Sequence, residues 1–419
     1  MKTLTTAWIA VLFMLAACGG ADNGAKPEPE ASPETGAQKA GDASAELAAL
    51  VEEYFERELE FNPLFATAIG DDRYDDRLAN SLSPEYLERY KAHNQAYLDR
   101  VMAIDPAQLS EQERLTYETF RYSREMDLEG FKYPDHLQPV EQFYSPMNFF
   151  VQLGSGSSIH PFKTVKNYDD FLSRVDDFVV IVDQAIANMK VGMERGIVQP
   201  RILMEKVLPQ LESQFADDVE QSTFYNPIKD MPAEFSDAER ARLTAAFKTA
   251  ISEKIIPAYR RMYDFINDEY LGAARETVSL GALPGGEAWY AYLVRRRTTT
   301  DQTPAEIHQI GLDEVARIHK AMQGVMDEVG FDGDLKAFFE FLNTDDQFYY
   351  DEPGELIQGY RDMSDHIESL TPKLFNISPK TGFEVRAVEP FREKSASGGQ
   401  YRSGTPDGSR PGVFFANTY

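Results

Sequence analysis

Apolar residues in this chain recur at the spacing of an α-helix, over stretches long enough to exclude most other folds. Phe171, Val175, Phe178, Val182, Ala185 and Met189 step by four and three, so they share one helix face. Val315, Ile318, Met322, Val325 and Val329 repeat the pattern. A third stripe, Leu243, Phe247, Ile251, Ile255, Ala258 and Met262, passes through Pro257, where a kink is expected. Each stripe reads as core packing. The start signals agree. Ser110 with Glu113, Ser236 with Glu239 and Thr303 with Glu306 match the capping box, in which hydroxyl and glutamate each satisfy one free backbone N–H. Pro304 falls at the first helical position, and Ser83-Pro84 opens a further helix. The expected fold is mainly α, a large helical domain of long amphipathic helices. Loops near 145–161, 225–236 and 281–287 are too short to be domain linkers, and no fixed-period repeat is visible.

The period changes near the end of the sequence. Phe383 to Val388 alternates like a strand, and Val413 to Ala416 is a second apolar strand candidate, separated by a Gly/Ser-rich turn region. A small antiparallel β element is expected here. The second strand stops at Asn417-Thr418-Tyr419, and a strand this apolar needs cover. The sequence therefore reads as cut before its fold is complete.

Residues 1–17 combine one positive charge, an apolar run from Ala7 to Ala17 and small residues before a cut site, the pattern of a secretory signal peptide. The run is too short for a membrane span, which needs about 20 apolar residues. Cys18, the only cysteine, follows Leu15-Ala16-Ala17 and precedes Gly19-Gly20. This resembles the bacterial lipobox, which implies lipid on Cys18. Gly19 in place of Asp then implies the outer membrane, facing the periplasm, rather than the inner one. Residues 18–44 read as a disordered tether, because Gly19 to Ser44 holds no large apolar side chain with which to offset ordering entropy. The helical domain is expected from 45 to 419.

Little material for metal or thiol chemistry remains. A single cysteine excludes internal disulfides and Cys-based zinc sites. None of the six histidines begins His-Glu-x-x-His, and His308 and His319 on one helix face would stand about 16 Å apart at 1.5 Å per residue. Gly154-Ser155-Gly156-Ser157-Ser158 lacks both the nucleophile-elbow and P-loop spacings. A net charge of −27 argues against nucleic acid as a partner. No catalytic residue and no metal ligand is identifiable, and no cofactor is expected in these residues.

Three segments resemble a known family. Asn62-Pro63-Leu64-Phe65-Ala66-Thr67-Ala68-Ile69-Gly70 with Tyr74-Asp75-Asp76-Arg77-Leu78, the stretch from Thr298 through Thr303-Pro304-Ala305-Glu306-Ile307-His308 to Ile318, and Asp407-Gly408-Ser409-Arg410-Pro411-Gly412-Val413-Phe414-Phe415-Ala416-Asn417-Thr418 are similar to the bacterial domain-of-unknown-function family 885. That family is remotely similar to the helical zinc peptidases of the oligopeptidase and angiotensin-converting-enzyme type. The resemblance implies zinc and a catalytic glutamate for a complete member, supplied by a His-Glu…Gly-His-His segment that would follow Tyr419. None can be carried onto a residue here, so the chain as given is expected to be inactive. The resemblance also implies that the strand at 410–419 lies along a peptide cleft, offering backbone hydrogen bonds. Gly412 would permit close approach, Asn417 would belong to the same strand site, and Tyr290 is a further cleft candidate. Arg410 reads equally as a partner for a substrate carboxylate or as a structural ion pair. Two functions stay open: part of an envelope zinc peptidase acting on short peptides, or a non-catalytic envelope lipoprotein binding peptides or proteins in a helical cleft.

Overall fold

A computed structural model describes residues 33–379, 381–390, 392–394, 396–405 and 408–419. Residues 1–17, read as a signal peptide, and Cys18 lie outside the described residues. Helix α1 (Pro33–Phe61) begins inside the stretch read as a tether. Alanine, glutamate and lysine favour helix without large apolar groups, and Ala43 is buried with Leu47 and Leu50 against α3 (Pro84–Met102) and α4 (Glu111–Gly130). The described helix thus begins at Pro33, and 18–32 of that stretch lie outside the described residues.

Between α1 and α3 lies the short α2 (Pro63–Ile69). The main core is built by α5 (Pro146–Gly154), α6 (Val165–Arg195), α7 (Arg201–Glu212), α8 (Asn226–Lys229), α9 (Asp237–Ala250) and α10 (Ile256–Phe265). All six residues of the first stripe are buried on α6, and Phe178 stacks on Phe150 of α5 with ring centroids 3.9 Å apart. The Pro257 stripe is buried as well. Proline lacks an N–H and crowds the carbonyl one turn back, and the chain accommodates it with a π turn over Ile251–Ile255 rather than a break. A second π turn, Ile266–Tyr270, leads into α11 (Leu271–Ala273). All three expected capping boxes form, as does a fourth at Thr164 and Asn167, where asparagine replaces the usual glutamate.

The segment from Asn62 to Leu78 is pinned to α6 by a buried polar cluster. Fully buried Arg174 donates to Thr67 Oγ1 (2.6 Å), to Arg77 O (3.1 Å) and to His160 Nδ1 (2.8 Å), and pairs with Asp75 at 3.5 Å. His160 Nε2 meets Asn167 O at 2.9 Å, which assigns the ring proton there and leaves Nδ1 to accept. Burial, then the Arg174 charge, push His160 down to about 4, so it stays neutral.

Helix α12 (Gly286–Thr298) packs on α4 through Trp289 and Tyr292, whose hydroxyl donates to Met126 O at 2.8 Å. The next helices are α13 (Pro304–Val329), α14 (Leu335–Thr344) and α15 (Pro353–Leu370). The α13 stripe is not core: Val315, Val325 and Val329 are 50%, 48% and 63% exposed, because no described element lies over that face.

The terminal sheet is mixed rather than antiparallel. Strands β1 (Phe383–Ala387), β2 (Gly399–Arg402) and β3 (Gly412–Ala416) take the order β1-β3-β2, with β1 parallel and β2 antiparallel to β3. Strand β2 comes from the Gly/Ser-rich region read as a turn. Its presence makes β3 the central strand, so the expectation of an uncovered apolar strand there is overturned: four of its five residues are buried.

Candidate functional site: a cavity between two Pro-started helices

Two sequence-encoded helix starts face one hollow. Asn62 caps α2 by accepting from Phe65 N (3.2 Å), with Pro63 at the first position. Ser145 caps α5 in the same way, accepting from Asn148 N (3.2 Å) ahead of Pro146. Between them lies a cavity of about 550 Å³, a size suited to a small organic ligand or a peptide side chain with its backbone. Phe150, Leu153, Phe178 and Ile181 form its apolar side, while the loop Asp135–Glu141 and Gln199 supply polar groups.

The polar wall is held by side-chain amides. Gln199 Nε2 donates to Gln138 O (3.2 Å) and Val140 O (3.1 Å), and Asn188 Nδ2 donates to Leu82 O (2.9 Å) and His136 O (3.0 Å). The Asn188 bonds fix two loops against α6, and the Gln199 bonds tie one of them to the segment that follows it. Gln138 Nε2, by contrast, is buried at the cavity without a hydrogen-bond partner among the described residues, a state that costs stability unless a ligand supplies the acceptor. Asp135 keeps exposed surface, yet the protein crowded around its carboxyl raises it above the ordinary carboxylate range. Burial lowers His136, with Asp135 opposing the shift. The site thus presents amides, a neutral imidazole and a disfavoured carboxylate over an aromatic floor. Such a lining suits an uncharged or cationic group attached to an apolar one. Tyr144 and Phe149 stand exposed at the rim, 6.4 Å apart between centroids.

None of the substrate-binding residues expected from sequence lines this cavity. Arg410 donates from Nη2 to Ala68 O and from its backbone N to Thr405 Oγ1 (3.0 Å), tying the sheet to the end of α2. Gly412 N donates to Gly382 O (2.9 Å), and the space a Cβ would fill is occupied by the Tyr401 hydroxyl at 2.5 Å. The group that approaches Gly412 closely is the protein's own tyrosine. Asn417 Nδ2 donates to Glu393 O (2.7 Å) and Ala396 O (3.2 Å), bracing the loop beside the sheet. Tyr290 is half-exposed on α12, away from that sheet in the chain's packing order. The expected role of β3 as a peptide-binding edge is also corrected, since both of its edges are paired within the sheet.

The zinc implied by resemblance finds no fit: among the described residues no three His, Cys, Asp or Glu side chains are grouped to hold a metal ion. No helix among the described residues is long and apolar enough to cross a membrane. Sequence reading missed the cavity. Ser145-Pro146 falls in a stretch read as loop, where the structure instead starts α5, and nothing local signals that this start meets the one at Asn62-Pro63.

A family model described as "Bacterial protein of unknown function (DUF885)" matches residues 63–419. No curated protein matches the sequence. Among solved structures, the chain is similar to a crystal structure from Colwellia psychrerythraea described as that of a candidate lipoprotein, with a TM-score of 0.78 and 20% identity over 90% of this chain and 68% of the other. The likeness is one of fold. The chain belongs to the DUF885 family.

Proposed function

We propose that this DUF885 member is a lipid-anchored envelope protein that binds short peptides through an apolar side chain seated in the α2–α5–α6 cavity. The observation that carries the reading is the cavity's composition, an aromatic floor below a buried, unpartnered Gln138 amide that matches a peptide carbonyl. The anchor is Cys18, in the lipobox register, and the Colwellia relative's description as a candidate lipoprotein supports it. The expected setting is the outer membrane, facing the periplasm.

Calorimetric titration with tri- and tetrapeptides bearing one aromatic residue tests the binding. Gln138→Leu should weaken the best ligand roughly tenfold through loss of one buried hydrogen bond, and Leu64→Trp should abolish binding by filling the hollow. Unchanged affinity in both variants would remove the cavity from the proposal. Labelled palmitate should tag the full chain and not Cys18→Ser.

Zinc-dependent hydrolysis of the bound peptide is a second reading, favoured by the three segments similar to the family. Its metal and general base would have to come from outside the described residues, and no step is assigned to any residue here.

A further inference from the structure

The cavity beside α2 and α5 is one-sided in charge. Asp135 and Glu141 line it, and among the described residues no lysine or arginine does. His136, which burial lowers, adds no charge of its own. Elsewhere on this surface acids meet a cation, as Asp169 meets Arg242 (2.7 Å) and Asp183 meets Arg261 (2.9 Å). No described hydrogen bond or ion pair engages the Asp135 carboxyl. The positive charge that Arg296 brings toward it is committed to Asp127 at 2.8 Å. Glu141 accepts from the Tyr144 backbone N through Oε1, which fixes the carboxylate and leaves Oε2 to accept.

Both acids sit on one short segment whose backbone is held from outside. His136 O accepts from Asn188, and Gln138 O and Val140 O accept from Gln199. Gln138 N donates to Asp135 O (2.9 Å) and closes the turn between them. A ligand therefore meets backbone that is already ordered. Asp135 is crowded by protein and still exposed, the state of a carboxyl that faces a hollow rather than bulk water. The crowding raises it, and an ammonium alongside would favour the ionised form and recover that cost. Between the two acids in the chain, Gln138 Nε2 lacks a described partner, and the carbonyl next to an amino terminus would supply one. Tyr86, Tyr144 and Phe149 line the same hollow, and aromatic rings attract cations as well as apolar groups.

The two helix starts act in the opposite sense, since a helix N-terminus carries partial positive charge. Each begins with a proline that has no N–H to give, and the caps Asn62 and Ser145 already accept from Phe65 N and Asn148 N. Two carboxylates outweigh what is left.

We propose that the cavity recognises a primary ammonium attached to an apolar group, the free amino terminus of a peptide whose first residue is aromatic. Naming the peptide rests on the binding function proposed above; the ammonium site itself stands on Asp135, Glu141 and the lack of a lining cation among the described residues.

The test uses the full chain. Phe-Ala-Ala amide is titrated with its amino terminus free and with it acetylated, into wild type, Asp135→Asn and the double variant Asp135→Asn/Glu141→Gln. Both substitutions keep the shape of the side chain, and glutamine at 141 can still accept from Tyr144 N. Wild type should prefer the free amine by roughly 10- to 100-fold, the range of a charge-assisted bond. The single variant should keep part of that preference and the double variant none, with affinity for the acetylated peptide unchanged in both. In parallel, benzylamine and benzyl alcohol are added at equal concentration in thermal melts. If neither peptide binds but benzylamine alone raises the wild-type midpoint and leaves the double variant unmoved, the ammonium site stands and the peptide reading falls. Equal affinity of wild type for free and acetylated peptide overturns the ammonium site and leaves peptide binding standing. Equal shifts with amine and alcohol, or an amine shift that survives in the double variant, also overturn the site. No response to either peptide or to benzylamine overturns both readings.

Discussion

Replacing Glu58 with glutamine should change the stability of the α1–α3 pairing in a pH-dependent way. Glu58 sits half-buried on α1, accepting from Tyr54 Oη (3.0 Å) and Tyr90 Oη (3.1 Å). Burial raises it from 4.5 to about 7, against the Tyr90 hydrogen bond and with a contribution from Asp127. The folded protein therefore keeps a proton that the unfolded chain releases. Between about pH 4.5 and 7 unfolding releases that proton, so rising pH drains stability across this window and the loss levels off above it. At 1.36 kcal/mol per pH unit the ceiling is about 3 kcal/mol. Solvent on the open side of the carboxyl screens the effect, which brings the expected figure to about 1–2 kcal/mol. Glutamine mimics the protonated form and can still bond both tyrosines. Hydrogen-exchange protection of α1 and α3 amides, compared for wild type and Glu58→Gln at pH 5 and pH 8, gives the difference directly. The variant should match wild type at pH 5 and exceed it by about 1–2 kcal/mol at pH 8. A variant that is equally destabilised at both pH values would show that Glu58 acts as a hydrogen-bond acceptor and carries no buried-charge cost.

Three further outcomes are expected. Gly412→Ala should destabilise the sheet by about 1–3 kcal/mol through overlap with the Tyr401 hydroxyl, and denaturation midpoints should show most of that loss recovered in a Tyr401→Ala background. Arg174→Leu should cost about 3–5 kcal/mol, because it leaves Asp75 buried and unpaired, and adding Asp75→Asn should restore part of it in the same assay. Residues 33–419, dialysed against zinc and measured by elemental analysis, should hold well under one equivalent and should leave short peptides intact by mass spectrometry. One tightly bound equivalent lost with a single histidine, such as His308, would reveal a missed site.

Much of the helical body was legible because its signals are local. Capping boxes at Ser110, Ser236 and Thr303 depend on residues three apart, and stripes such as Phe171 to Met189 depend on helix geometry alone. What failed was non-local. Gly399–Arg402 carries too few apolar residues to announce a strand, and becomes one by pairing with β3. The α13 stripe is identical in kind to that of α6, and periodicity cannot say whether a partner arrives to cover it. The cavity is less legible still, since Gln138 and Ile181 share no spacing with Asn62. For the same reason sequence left Arg410 open between a substrate carboxylate and a structural ion pair, and its contact with Ala68 O joins segments more than 300 residues apart.

The Arg174 cluster also dictates when the amino-terminal segment can close. Thr67, Tyr74 and Arg77 wait for an arginine roughly a hundred positions downstream, and the Leu78 amide waits for Asp177. At a synthesis rate of about 5–20 residues per second, that interval is roughly 5–20 s. During it the Asn62–Leu78 segment has its caps but not its anchor, and the hollow beside it has only one wall. The contact that locks the beginning of the domain therefore cannot form until α6 is available to it.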